Sequence, residues 1–187
     1  MGHWEIFLFF LIIAFIYSSV GFGGGSSYLA VLAMYSFPYQ EIRLTALICN
    51  IIVVIGGVFI YIKNNQVEWK KILPLTLISV PMAYLGAVLK ISQEIFFLTL
   101  GITLIIAALL LWIKTDTKNN GEISENAGNS LLRNGFLGGG IGFLSGLVGI
   151  GGGIFLSPLL NLMKWDTPRK IAATSSVFIL VNSVSGI

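Results

Sequence analysis

Gly21-Phe22-Gly23-Gly24-Gly25 and Gly149-Ile150-Gly151-Gly152-Gly153 stand 128 residues apart, and each closes a long apolar run and opens a short one. Glycine lacks a Cβ and takes positive φ freely, so each cluster reads as a break between two helices. Inside a bilayer such a break is tolerated only where its backbone is buried in protein or lines a cavity. Outward from the two clusters, the apolar runs cover 4–20, 26–35, 44–62, 72–89 and 95–113, then 131–148, 154–163 and 171–187. The longer runs are close to the ~20 residues that a bilayer-spanning helix needs.

Composition points the same way. Of 187 residues only 10% are charged and 56% are hydrophobic, with a mean hydropathy of +0.90; a soluble domain carries about 25% charge. These values exclude a water-soluble globule, and they exclude a disordered chain, a disulfide scaffold and a nucleic-acid binder as well. The lipid bilayer is the expected partner, nucleic acid is not, and whether copies assemble into a homo-oligomer stays open. A formal net charge of +3 reflects the Lys and Arg that membrane proteins keep on cytoplasmic loops. No Lys or Arg precedes the first run, which therefore reads as a retained helix rather than a cleaved signal. Cys49 is the only cysteine.

The polar stretch 114–130 divides the chain into membrane repeat 1 (1–113) and membrane repeat 2 (131–187). Each glycine cluster is followed by a short apolar run, a turn with Pro38 or Pro168, and a helix bearing small polar residues: Thr45, Cys49 and Asn50 in one, Thr174, Ser175, Ser176 and Asn182 in the other. At the 128-residue offset the counterparts of 72–89 and 95–113 fall near 200–241. Repeat 2 is therefore expected to be incomplete by roughly 55 residues.

Charge chooses the orientation. If each glycine-broken pair crosses the membrane once, Lys and Arg split six to five between the faces; if each is a hairpin returning to its own face, they split nine to two. Because cytoplasmic loops retain positive charge, the second arrangement is preferred. The fold class is then an all-α polytopic membrane protein, multi-pass in the plasma membrane. Its two repeats have Gly-interrupted hairpins in inverted arrangement. The short runs would rise ~15 Å, half of a ~30 Å core, so the two breaks approach the midplane from opposite faces.

Secondary transporters build their substrate sites from that layout. Glycines leave backbone N–H groups uncovered, and the N-terminus of the following helix carries about half a positive charge, which favours an anion. The candidate substrate contacts are Gly23, Gly24, Gly25, Ser26 and Asn50 from repeat 1, with Gly151, Gly152, Gly153, Ser175 and Asn182 from repeat 2. A packing role competes with this reading: Gly135 and Gly139, and separately Gly138, Gly142 and Gly146, recur every four residues, and buried Asn and Ser also bridge helices. Arg43, Arg169 and Lys170 stand at the entrances of the helices after the hairpins, as anion attractors or as loop charges. No ligand cluster suggests a metal, and no nucleophile with a base suggests catalysis. Neither a cofactor nor an enzyme is expected.

The sequence resembles the sulfite exporter TauE/SafE family of membrane permeases. The resemblance rests on Gly21 to Gly25, on Gly146-Leu-Val-Gly-Ile-Gly-Gly-Gly-Ile-Phe-Leu-Ser-Pro158, on Thr167-Pro-Arg-Lys-Ile-Ala-Ala-Thr-Ser-Ser176, and on Asn182-Ser183. Repeat 1 departs from the pattern, with Ser26-Ser-Tyr-Leu-Ala-Val and Leu44-Thr-Ala-Leu-Ile-Cys-Asn50 where the family has Pro and an Ala-Thr-Ser run. The resemblance implies a permease for a small anion, sulfite or an organosulfur compound. An anion channel and a non-transporting membrane scaffold or assembly protein are the competing readings.

Overall fold

The computed structural model describes residues 4–112 and 131–187. The polar stretch expected at 114–130 lies outside the described residues, as does His3. Among the described residues the chain forms eight α-helices and no strand. They are α1 (Trp4–Val20), α2 (Gly25–Met34), α3 (Tyr39–Lys63), α4 (Trp69–Val88), α5 (Gln93–Trp112), α6 (Leu131–Val148), α7 (Gly153–Leu162) and α8 (Pro168–Gly186). This is an all-helical membrane protein, and α3, α4 and α5 are long and apolar enough to cross a bilayer.

Large apolar side chains cover the exterior, while several polar ones are buried among an apolar core. Phe59, Leu77 and Leu98 are each more than three-fifths exposed, whereas Asn50, Ser79, Ser145 and Asn182 are fully buried. An apolar exterior on this scale is suited to lipid rather than to water. Helix α3 begins at Tyr39, ahead of the apolar run at 44, because its first turn is amphipathic. There Ile42 is buried while Glu41 sits near the positive end of the helix dipole. Apolar scanning alone does not register such a turn.

Helices α1 and α2 fold back on one another. The Phe10 and Tyr28 rings pack at a tilt of 48° with centroids 4.8 Å apart, Tyr17 and Ser27 share a hydrogen bond of 2.8 Å, and the Tyr35 hydroxyl donates to Glu5 Oε2 at 3.1 Å. The chain therefore leaves this pair beside the point where it entered, at the end of the molecule where α3 starts.

Helices α4 and α6 run parallel in register, with Gly138 against Leu75, Gly142 against Ser79 and Gly146 against Ala83. Backbone meets backbone along this seam, and a Cβ on Gly142 would stand 2.5 Å from the Ser79 carbonyl oxygen. Small residues at four-residue spacing allow that approach in a membrane, where packing replaces the hydrophobic effect between helices. Helix α6 thus starts where α4 starts, and α7 brings the chain back there.

A compact charge cluster marks the return. Lys71 Nζ, in the first turn of α4, lies 2.5 Å from Asp166 Oδ2 and 3.0 Å from Glu68 Oε2. Lys170 pairs with Glu68 and reaches Asp166 Oδ1 at 3.8 Å. Asp166 Oδ1 also accepts the Thr167 N–H at 2.7 Å, and Lys71 stands over the buried Trp165 ring, 5.4 Å from its centroid. The hydrogen bond from Lys170, supported by Lys71, holds the Glu68 carboxyl below its ordinary value of 4.5, against the opposing effect of partial burial.

Two outcomes are expected. Gly146→Ala pushes a Cβ into the Ala83 backbone and should cost at least about 1–3 kcal/mol, whereas Gly140→Ala, in open space on the same helix, should be neutral; thermal unfolding in detergent compares them. Because the Glu68 pKa is depressed in the folded state, its contribution is present above its unfolded value and disappears as pH falls through the folded one. The melting temperature should drop on acidification from pH 6 to about pH 3.5, and by less in Glu68→Gln.

Candidate functional site

The two breaks share a backbone signature. Gly24 precedes α2 with φ +80°, Gly152 precedes α7 with φ +78°, and Gly21 and Gly149 take φ +83° and +82°. Side chains rarely adopt this left-handed region, which is why glycine recurs at these equivalent positions. No side chain caps either helix start. The first N–H groups of α2 and α7 have no intrahelical partner, so both uncapped ends present donors and a positive dipole.

Asn50 lies near the middle of α3 and is fully buried. Its Nδ2 donates to the carbonyl of Ile150, inside the second break, at 3.0 Å. Both breaks close around this one amide. A Cβ on Gly23 would overlap Oδ1, and on Gly25 or Gly151 it would stand 2.6 or 2.8 Å from Nδ2. The reciprocal contact comes from α8, where Ser176 Oγ lies 2.5 Å from the carbonyl oxygen of Gly21 and 2.9 Å from that of Ala172. The helix following each hairpin therefore holds the break of the other.

A cavity of about 120 Å³ adjoins the first break, lined by Gly23, Gly24, Gly25 and Ser26, with Ile150 from the second break and Pro158 from α7. That is room for more than one water molecule. Asn50, Gly151, Gly152, Gly153, Ser175 and Asn182 do not line it. Gly152 packs on Phe178, Ile141 and Ser145, and Gly153 on Ile179.

The remaining candidates separate. Ser175 is buried and its Oγ has no hydrogen-bond partner. Asn182 donates to the Phe178 carbonyl of its own helix at 2.8 Å, so it does not mirror Asn50, and Ser176 takes that part instead. Among the charged residues, Arg43 caps α4 by donating to the Ala87 carbonyl at 2.9 Å and lies against Gly149, while Arg169 is exposed.

The sequence reading has Ser183 within a motif but not as a contact, and its unpartnered Oγ would lie 3.1 Å from a Cβ on Gly151; it does not single out Tyr61, whose hydroxyl would lie 2.7 Å from a Cβ on Gly21. Tyr61 ends an apolar run, where an aromatic reads as an interfacial anchor.

The sulfite exporter TauE/SafE family model matches residues 6–187. The chain belongs to the sulfite exporter TauE/SafE family. A probable membrane transporter protein of Sinorhizobium fredii is 32% identical over 178 residues, covering 95% of this chain and 72% of the relative. Similar proteins, also named probable membrane transporters, come from Methanocaldococcus jannaschii (30% identical, covering 95% and 69%) and Bacillus subtilis (28%, covering 90% and 71%). No solved structure matches the chain significantly. As a TauE/SafE member the protein is a membrane transporter.

Asn50→Ala leaves the Ile150 carbonyl buried without its donor and should cost about 1–3 kcal/mol. Asn182→Ala, which removes a bond within one helix, should cost less. Thermal unfolding of the two variants in the same detergent distinguishes them.

Proposed function

We propose that the protein is a secondary carrier that exports a small anion, sulfite or an organosulfur compound, across the plasma membrane. The observation that carries this reading is the exchange of hydrogen bonds at the two breaks. Asn50 holds the second break and Ser176 the first, so two uncapped helix starts lie around one buried centre. Interrupted helices meeting in this way are the usual architecture of secondary-transporter sites.

Inverted repeats, with boundaries at 1–113 and 131–187, account for the path of the chain. The first hairpin returns to the end where α3 starts, through the bond between Tyr35 and Glu5. The second returns to the end where α4 starts, through Asp166 and Lys71. The equivalent positive-φ glycines, Gly21 with Gly149 and Gly24 with Gly152, support the duplication.

In this reading the N–H groups opening α2 and α7, around Gly23 to Gly25 and Gly151 to Gly153, bind the anion oxygens. Ser26 and Ser175 add hydroxyl donors. Asn50 and Asn182 set the polarity behind them, with Asn50 also fixing the distance between the breaks. Movement of one hairpin against the other exposes the centre to each face in turn. The chemistry is transport without catalysis or a cofactor.

The test is uptake and counterflow of labelled sulfite into proteoliposomes, with sulfate, sulfoacetate and thiosulfate as competitors. Saturable counterflow is expected, abolished in Gly152→Leu and with a raised KM in Ser26→Ala, which retains the backbone. Flux without saturation or countertransport would indicate a channel. No flux of any of these anions in folded protein would overturn the carrier reading for them and favour a scaffold.

A further inference from the structure

The cluster of Glu68, Lys71, Asp166 and Lys170 lies outside the glycine-lined centre, and none of the chemistry proposed there uses it. We propose that it is an ion-pair latch: it closes the protein at the end where α4 begins and biases the resting carrier toward access from the opposite end. The inference rests on the carrier reading above.

Location is the first support. The cluster joins the segment between α3 and α4, carrying Glu68, and the first turn of α4, carrying Lys71, to the exit of the second hairpin at Asp166 and the first turn of α8 at Lys170. The exit of the second hairpin, after α7, cannot swing away from α4 at this end without separating these charges.

Its energetics suit a latch. The Asp166 side chain is only 2% exposed, with Lys71, Lys170 and the Thr167 N–H as partners, and Trp165 is buried beneath Lys71. Removing one partner from a buried charge is expensive, whereas full separation into water restores hydration to all the charges. The two charges of each sign cancel, so no net charge opposes closure. Such a group gives little net stability yet makes the half-open state costly, and the arrangement switches as a unit.

Asymmetry gives it a direction. The first hairpin's exit has Phe37, Pro38 and Ile42 at the positions 128 residues before Trp165, Asp166 and Lys170, and these three carry no charge. Its entry and exit are joined instead by the exposed bond between Tyr35 and Glu5. Inverted repeats would otherwise make the two access states nearly equivalent, and a latch on one face breaks that degeneracy.

The test uses Thr174→Cys, buried one turn beyond Lys170 and outside the proposed binding site, in a Cys49→Ala background. It reads labelling by a membrane-impermeant maleimide from each face. Lys170→Gln and, separately, Asp166→Asn should each raise labelling from the face where α4 begins by roughly tenfold and lower it from the other. A reducible cross-link between cysteines replacing Glu68 and Lys170, in the Cys49→Ala protein without the reporter cysteine, should arrest counterflow, which recovers on reduction. Unchanged labelling in the neutralised variants, equal increases from both faces, or full counterflow in the cross-linked protein would overturn the latch. Absence of flux without the cross-link would bear on the carrier reading instead, because labelling does not depend on flux.

Discussion

A peptide group in hydrocarbon must find its hydrogen-bond partner within the protein, and an interrupted helix cannot supply all of its own. That constraint governs this structure at Gly21 to Gly25 and Gly149 to Gly153. Two carbonyls freed there, of Gly21 and Ile150, are taken up by Ser176 and Asn50, each from a helix on the far side of the centre. The breaks are consequently tied to each other through α3 and α8. The donors at the starts of α2 and α7 receive no side-chain cap. In the proposed carrier, uncapped donors beside satisfied acceptors would give the centre a positive character from backbone dipoles.

Much of the helical order was legible because the apolar runs are long and punctuated by glycine, proline and charge. Boundaries slipped where a helix begins on polar residues, as α3 does at Tyr39, since hydropathy ignores an amphipathic first turn. The importance of Asn50 was legible too, because an amide in an apolar helix must bond something. Its partner was not, because a backbone carbonyl 100 residues away leaves no trace in side-chain pattern. The same limit explains Asn182. Composition equated the two asparagines, but a carbonyl of its own helix lay within reach of Asn182, and the shorter hydroxyl of Ser176 reached the first break.

Glycine has two separable uses here, and Cβ geometry distinguishes them. At Gly138, Gly142 and Gly146 the hydrogen in place of Cβ lets α6 lie against the α4 backbone, all with ordinary helical φ. At Gly21, Gly24, Gly149, Gly151 and Gly152 the backbone itself is left-handed, so a side chain is strained whatever the space. A substitution of the first kind displaces a helix, whereas one of the second kind reshapes the break.

This division also limits which parts can move. The α4–α6 seam is held by backbone contacts that cannot slide without lifting one helix over the carbonyls of the other, so α4 and α6 form one rigid unit. Motion of the second hairpin must then be taken up after Val148, where Gly149, Gly151 and Gly152 supply positive-φ joints. In the proposed carrier the portion that moves is then α7 with the segment leading into α8, and its far end carries Asp166. The joints lie at the proposed binding centre and the ion pairs at the surface. Any displacement that opens the surface therefore turns about the same residues that would hold the anion, and access and binding geometry change together.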